Sequence, residues 1–190
     1  MNTMIRKLGL TLLISIFITS LLNAQTAPKW TLDHKKSSVG FSIKQFLSNV
    51  KGNFSDFDGH FYFDPKNLSG SKADFTIEVK SLDTRIGLRD KHLLTSEFFD
   101  ADTYPQMSFK STKFENKSGN LYLVHGQLTI KNVTKNVVLP FTLVQEKNTL
   151  KFTSSDFKIN RKEYDVGDNF SGKMVTSSEV SIILYIVLNQ

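Results

Sequence analysis

Apolar and polar residues alternate along most of this chain, and a period of two is the pattern of β-strands with one buried face. This alternation constrains the fold more than any other feature of the sequence. The apolar rows are Val39/Phe41/Ile43, Phe75/Ile77/Val79, Met107/Phe109, Leu121/Leu123, Leu128/Ile130, Val137/Leu139/Phe141/Leu143, Leu150/Phe152 and Val180/Ile182/Leu184/Ile186/Leu188. Turn-forming residues separate most of the rows, so the sequence predicts about eight short strands that follow one another in a meander.

Two segments depart from this alternation. Between residues 50 and 63 the apolar residues move from even to odd positions, which predicts a β-bulge or a sharp bend near Ser55 and Asp56. Further along, Leu88, His92 and Leu93 have helical spacing. One or two helical turns are therefore expected near residues 85–95, before the chain returns to the sheet.

These elements predict an all-β fold, an antiparallel lipocalin-like barrel of about eight strands with one short helix. A parallel α/β sheet would need a helix between most strands, whereas a two-sheet sandwich stays open as the competing architecture. A barrel of this size is filled by its own side chains or holds one small ligand. The fold class alone therefore does not decide the function.

The first 24 residues have the features of a cleaved secretory signal peptide. Arg6 and Lys7 precede the apolar stretch Leu8–Leu22, and the small residue Ala24 follows it. The stretch is short for a membrane span, which needs about 20 residues. We expect cleavage after Ala24, a single domain over residues 25–190, and a location in the periplasm or outside the cell.

Composition excludes several classes of function. The chain has no cysteine, which excludes a lipoprotein anchor, disulfides and cysteine nucleophiles. The net charge is +6, but the lysines alternate with apolar residues along strands and form no run, so a nucleic-acid partner is not expected. Metal binding is not expected either, because the histidines lie in separate segments without ligand spacing, at His34, His60, His92 and His125.

One group of residues could serve an enzyme. Arg89, Asp90 and His92 lie together in the helical segment, and an Asp-x-His arrangement can position a general base. No Gly-x-Ser-x-Gly nucleophile motif accompanies them, so ion pairing or helix capping is the simpler interpretation. We therefore predict no catalytic residues. A hydrolase that uses Asp90 and His92 is the weaker alternative, and an exported domain that acts by protein–protein interaction is another.

Short motifs in a fixed order carry a family resemblance from Asp33 to Leu188. They are Val39-Gly40-Phe41-Ser42-Ile43, Gly52-Asn53-Phe54, Phe57-Asp58-Gly59, Phe63-Asp64-Pro65, Ser81-Leu82-Asp83-Thr84, Arg89-Asp90-Lys91-His92-Leu93, Phe98-Phe99-Asp100, Tyr104-Pro105, Phe109-Lys110-Ser111-Thr112, Gly126-Gln127-Leu128-Thr129-Ile130 and Val133-Thr134. In these motifs the chain resembles the YceI-like family of bacterial periplasmic polyisoprenoid-binding proteins. It departs from them at Lys36 and Gln45, where the family often has histidine.

The resemblance implies a barrel whose interior is a long apolar tunnel, occupied by the isoprenoid tail of a quinone or by a related lipid. It implies binding, storage or transport, with no cofactor beyond the bound polyisoprenoid or other long-chain lipid. The expected partners are that lipid and, transiently, a membrane surface or membrane enzyme; pairing into a homodimer is left open.

Inward-facing apolar residues would line such a tunnel. The predicted lining residues are Phe41, Ile43, Phe54, Phe61, Phe63, Phe75, Ile77, Val79, Phe109, Leu123, Leu128, Ile130, Phe141 and Ile182. In the segment 156–165, which resembles a family segment at the barrel rim, Arg161 is interpreted as a structural ion-pair partner, with contact to a lipid head group as the alternative.

Overall fold

The structure is a computed structural model that describes residues 27–168 and 176–190. The predicted signal peptide, residues 1–24, lies outside the described residues. The strands are β1 Lys29–Leu32, β2 Ser38–Gln45, β3 Ser48–Phe54, β4 Phe57–Tyr62, β5 Lys72–Glu78, β6 Leu82–Asp83, β7 Gln106–Ser118, β8 Leu121–Ile130, β9 Val133–Glu146, β10 Thr149–Asn160 and β11 Thr176–Asn189. One α-helix, α1, spans Gly87–Leu93.

Eight of the strands close into a barrel. They are hydrogen-bonded in the order β1-β4-β5-β7-β8-β9-β10-β11, and β11 returns to β1 through the pair Thr31–Asn189. All of these pairings are antiparallel. The remaining strands, β2, β3 and β6, continue the sheet from β11. The predicted barrel is confirmed, and the closed ring excludes the two-sheet sandwich.

Both predicted departures from the alternation are present. β3 ends at Phe54, the chain bends at Ser55, and β4 begins at Phe57, so the buried side changes from even to odd positions across the bend. The helix α1 lies within the predicted segment, residues 85–95. It follows directly after β6, which pairs with the end of β3.

Packed aromatic rings close one end of the barrel. Phe63 lies at their centre, with ring centroids 5.3 Å from Phe152 and 5.5 Å from Phe114. The Tyr122 ring stacks on Phe141 at 5.5 Å. The Trp30 indole N–H donates a 2.9 Å hydrogen bond to the Phe63 carbonyl, which fixes this strand end. We call these five rings the aromatic floor: Phe63, Phe114, Tyr122, Phe141 and Phe152.

Strands β9 and β10 separate above the floor. Their pairing ends at Thr142–Thr153, and a bulge follows between Ser154 and Phe157 in the pairing of β10 with β11. The 3-10 turn Arg161–Tyr164 comes after β10, and Glu163 in that turn forms an ion pair with Lys135 of β9 at 3.5 Å. The turn therefore joins the two strands where their backbones no longer pair.

Candidate functional site

The barrel encloses a cavity of about 680 Å³, which is within the range of about 300–1,000 Å³ for small-molecule sites. Its walls are the inward rows of the strands, and they are almost wholly apolar. Phenylalanines dominate the lining in number, at Phe41, Phe54, Phe61, Phe63, Phe75, Phe98, Phe99, Phe109, Phe114, Phe141, Phe152 and Phe157. Such a wall suits a hydrocarbon chain and offers little to a polar substrate.

Glycines in neighbouring strands give two of these rings room to lie against the wall. A Cβ atom on Gly52 would come within 2.4 Å of the Phe41 ring, and one on Gly126 within 2.4 Å of the Phe109 ring. Real Cβ atoms do not approach so closely, so a larger residue at either position would push its ring aside. The glycines therefore let a phenylalanine-rich barrel keep an open interior.

The cavity has a closed end and an open end. The aromatic floor contributes Phe63, Phe114, Phe141 and Phe152 to the lining at the closed end, where these rings pack on one another. Ile86 and Leu88 also line the cavity, yet they are 52% and 82% exposed to solvent. A side chain that borders the cavity and is this exposed must lie at an opening. We call this opening, beside α1, the mouth.

Twelve of the fourteen predicted lining residues border the cavity. They are Phe41, Ile43, Phe54, Phe61, Phe63, Phe75, Ile77, Phe109, Leu128, Ile130, Phe141 and Ile182. The other two predictions, Val79 and Leu123, are wrong about position. β5 ends at Glu78, so Val79 leaves the inward row and is buried in the 3-10 turn Val79–Ser81. Whether the cavity residues hold a ligand stays a prediction.

The error at Leu123 is one of strand parity. β8 is continuous from Leu121 to Ile130, and its buried side is formed by even-numbered residues such as Tyr122 and Val124. Leu121 is 37% exposed, so the leucine pair lies on the outer face. Because Leu128 and Ile130 were predicted to point inward, a constant parity along one strand would have indicated Tyr122 and Val124.

Sequence reasoning missed the residues that cover the mouth. Leu93 of α1 and the pair Phe98 and Phe99 that follows it line the cavity. The Phe99 ring meets Phe54 edge-on at 6.2 Å, which joins the helical segment to β3. Their signal was available in the family motifs, but a strand period cannot place residues that lie outside strands.

A polar network holds α1 at the mouth. The Thr84 backbone N–H donates to Asp90 Oδ1 at 2.9 Å, and the Thr84 hydroxyl donates to the same oxygen. Arg89 donates from Nε to Thr84 Oγ1 and from Nη2 to the Thr84 carbonyl, each at 2.7 Å. Thr84 itself is 2% exposed. The carboxylate of Asp90 is thus a structural acceptor that fixes the start of the helix.

His92 contacts the residues that follow α1. Its Nε2 lies 2.7 Å from Glu97 Oε2, and its ring meets Phe98 edge-on at 5.0 Å. These contacts fix the segment after α1. Of the predicted pairing and capping roles, His92 pairs with Glu97, whereas Arg89 and Asp90 hydrogen-bond to Thr84 and the N-cap Ile86 has no side-chain cap hydrogen bond.

Arg161 borders the cavity from the 3-10 turn after β10. Its Nε donates to the Ser177 carbonyl at 3.0 Å, and its Nη1 donates to the carbonyls of Val166 and Gly167 at 2.6 and 2.8 Å. Arg161 therefore hydrogen-bonds to backbone carbonyls. Within the described residues it forms no direct ion pair with a carboxylate, contrary to the predicted role. Burial lowers the pKa of the Arg161 guanidinium from its ordinary value, and the nearby charge of Asp168 opposes this.

Ser154 is the exception in the apolar wall of β10. It continues the inward row of Leu150 and Phe152, is 4% exposed and borders the cavity just before the bulge. Its hydroxyl has no hydrogen-bond partner within the described residues. A buried hydroxyl without a hydrogen-bond partner destabilises the folded state.

Two features are absent from the residues that the structure describes. No group of three or more histidine or acidic side chains in 27–168 and 176–190 is arranged to hold a metal ion. Within the same residues no helix has the length and the apolar character needed to cross a membrane.

Comparison with known proteins agrees with this architecture. The family model described as "YceI-like domain" matches residues 30–188. A UPF0312 protein of Photorhabdus laumondii is 40% identical over 131 residues, covering 66% of this chain and 68% of that protein. The crystal structure of Burkholderia cenocepacia BcnA superimposes with a TM-score of 0.76 and 32% identity, covering 82% of this chain and 98% of its own.

A more distant structure shares the fold alone. It is a polyisoprenoid binding domain from Saccharophagus degradans, described as implicated in plant cell wall breakdown. The TM-score is 0.69 at 14% identity, and the match covers 84% of this chain and 97% of that domain.

Proposed function

The chain belongs to the YceI-like family, and from that premise we propose that it binds a long-chain isoprenoid or a related lipid, such as a quinone tail, in the barrel cavity. The observation that carries the proposal is the cavity itself: about 680 Å³, almost wholly apolar, closed at the aromatic floor and open at the mouth. The solved fold relative from Saccharophagus degradans is described as polyisoprenoid-binding, which supports the same ligand class.

Burial of a hydrocarbon chain would supply the affinity. Each CH₂ group that leaves water contributes about 0.8 kcal/mol, so a chain of several prenyl units binds tightly without polar contacts. The positions of the glycines and phenylalanines would set the width of the tunnel, and the aromatic floor would set its length. Selectivity would then follow from the shape of the cavity more than from hydrogen bonds.

The two ends of the cavity favour one orientation of the ligand. The floor offers aromatic rings only, so the hydrocarbon terminus is expected there. Polar side chains border the cavity nearer the mouth, among them Gln45, Arg89 and Arg161. The Nη2 group of Arg161 makes no hydrogen bond within the described residues, so Arg161 is the candidate for contact with a polar head group.

The proposal includes export and excludes catalysis. A signal peptide over residues 1–24, cut after Ala24, would deliver the barrel to the periplasm or beyond. There it would store or carry its lipid, with transient contact to a membrane surface or a membrane enzyme for loading and delivery. N-terminal sequencing of the protein from fractionated cells checks the cleavage site.

Lipid extraction tests the binding proposal. The purified protein should release a long-chain lipid into organic solvent in a ratio near one per barrel, and mass spectrometry would identify it. The delipidated protein should then bind a fluorescent prenyl probe that the extracted lipid displaces. An extract without lipid, together with a delipidated protein that does not take up the probe, would contradict the proposal.

A further inference from the structure

The hairpin turn between β2 and β3 is apolar and exposed. Phe46 and Leu47 form its tip, and they are 67% and 88% exposed. Three other hairpin turns also contain a residue with positive φ, and there the residue is Gly119 (φ 54), Lys131 (φ 54) or Lys147 (φ 41). Only at the β2–β3 turn, among the described hairpins, is this residue a large apolar one.

Phe46 is unfavourable at this position for two independent reasons. Its φ of 53° lies in the left-handed region, which residues other than glycine, asparagine and aspartate rarely adopt. Its ring and the neighbouring leucine also present apolar surface to water, where a turn ordinarily carries polar residues. A turn with both costs is better suited to contact with an apolar phase than to solvent.

This turn lies beside the mouth of the cavity. Gln45 and Val50, which flank it on β2 and β3, both border the cavity. The exposed apolar residues Ile86 and Leu88 border the same cavity from the helical segment. Two separate elements therefore expose apolar side chains around one opening.

Free cations accompany these apolar residues. Lys44 and Lys51 flank the turn, Arg85 precedes α1 and Lys91 lies within it; all four are exposed. None of them takes part in an ion pair within the described ranges. The strand-and-turn segment from 38 to 55 contains no acidic residue.

The acidic groups of the helical segment are already engaged. Asp90 accepts from Thr84, and Asp83 accepts from the Arg85 backbone N–H at 2.6 Å. His92 lies 2.7 Å from Glu97, so that carboxylate is also paired. These hydrogen bonds do not remove the carboxylate charges, but Lys44, Lys51, Arg85, Arg89 and Lys91 still outnumber Asp83, Asp90 and Glu97 by two in the segments 38–55 and 82–97, so the mouth has a net positive charge.

We propose that the mouth docks on an anionic lipid bilayer, with Phe46 and Leu47 inserted among the lipid chains and Ile86 and Leu88 resting on the same surface. The proposal rests on the proposed function, since a barrel that exchanges a long-chain lipid must open toward the phase in which that lipid dissolves. Apolar tips surrounded by unpaired cations match an anionic interface, where each nearby Lys or Arg adds attraction.

Vesicle flotation tests the docking surface. The chain from Gln25 onward, which retains every described strand, is mixed with phosphatidylcholine vesicles in which about one lipid in three is phosphatidylglycerol. We expect the double variant Phe46→Asn/Leu47→Ser to bind these vesicles at least about tenfold more weakly, because two apolar side chains no longer leave water. Binding of the parent chain should also weaken with added salt and with purely phosphatidylcholine vesicles.

Val144→Ser is the matched control, since Val144 is another exposed apolar residue, 45% exposed and located on β9. It should leave vesicle binding unchanged. The thermal midpoint of Phe46→Asn/Leu47→Ser should stay level or rise, because asparagine tolerates the left-handed conformation better than phenylalanine. Weaker binding would then not reflect unfolding.

The outcomes separate the two proposals. If the parent chain contains lipid but does not float with anionic vesicles, or floats equally well with both tip substitutions, the docking surface is wrong while the proposed function stands. Capture of a protein partner through Phe46 and Leu47 without vesicle binding also overturns the docking proposal. Absence of any lipid from the parent chain, together with failure of that chain to take up the prenyl probe, overturns the proposed function itself.

Discussion

The aromatic floor and the mouth are built from different interactions, although the same barrel joins them. Phe63, Phe114, Tyr122 and Phe141 in the floor are all at most 7% exposed, and they pack ring against ring. At the mouth Leu88 is 82% exposed, and a polar network centred on Thr84 holds the helix. Burial of apolar surface therefore stabilises one end, while a few directed hydrogen bonds fix the other.

Because of this difference, we expect the floor to determine the stability of the fold and the mouth to determine how ligand reaches the cavity. A packed aromatic cluster resists local opening because each ring contacts several others, whereas an exposed helix of two turns can move at little cost. Substitutions in the floor should thus change the unfolding free energy, and substitutions at the mouth should mainly change how ligand enters and leaves.

Phe63→Ala should have the largest effect on stability. Phe63 is 2% exposed and meets four other rings, so its loss removes apolar burial and leaves a cavity. We expect the free energy of unfolding to fall by about 3–5 kcal/mol, measured by urea denaturation. The mouth substitution Leu88→Ala is the comparison, and it should change that free energy by no more than about 0.5 kcal/mol. If the two substitutions lower the free energy of unfolding equally, the floor does not contribute more to stability than the mouth.

Asp90→Ala should have the next largest effect, and it should act at the mouth. It removes the acceptor for the backbone N–H and hydroxyl of Thr84, which is 2% exposed. The unfolding free energy should fall by about 1–3 kcal/mol. Dissociation of a prenyl probe, followed by stopped-flow fluorescence, should become faster because α1 loses its anchor.

Asp90→Asn is the matched control for this anchor, since an amide oxygen can still accept from Thr84. It should restore most of the stability and the slow dissociation. If Asp90→Ala leaves the dissociation rate of the probe unchanged, α1 does not control the opening.

The sequence predicted the walls of the barrel better than the mouth, for a physical reason. Inward rows such as Phe41/Ile43 and Leu150/Phe152 follow the strand period, and closing a sheet fixes which face they occupy. The strand period does not apply at Val79, because β5 has ended there and the chain enters a 3-10 turn. At Leu123 hydrophobicity alone favoured the leucines over Tyr122 and Val124, although the strand does not change parity.

The mouth depends on contacts between segments that are distant in the chain. The sequence located a helix near residues 85–95 but did not indicate that α1 contacts β6 or that Phe99, after the helix, packs against Phe54 of β3. The exposure of Phe46 and Leu47 is likewise a property of the folded barrel, because an apolar pair in a strand pattern is ordinarily buried. The pairing of Gly52 with Phe41 needs the register of two strands, which alternation does not specify.

Gly52→Ala should narrow the tunnel between the two ends. The added methyl group would lie 2.4 Å from Phe41 Cζ and 3.0 Å from Thr84 Cγ2, so the Phe41 ring would have to move. We expect a loss of about 1 kcal/mol in unfolding free energy and a roughly tenfold weaker binding of a long prenyl probe. Gly87→Ala is the control, because a Cβ there meets nothing within 4 Å. Unaltered binding by Gly52→Ala would show that the Phe41 ring does not limit the tunnel.

Ser154→Ala should have the smallest effect and the opposite sign. Ser154 lies next to Phe152 of the floor, and its hydroxyl has no partner among the described residues, so alanine removes an unsatisfied polar group from an apolar wall. The unfolding free energy should rise by about 1 kcal/mol in the lipid-free protein, measured by urea denaturation. Affinity for a purely hydrocarbon probe should stay level or increase. A loss of stability instead would mean that the hydroxyl is satisfied, and a selective loss of affinity for an oxygen-bearing lipid would mean that the ligand satisfies it.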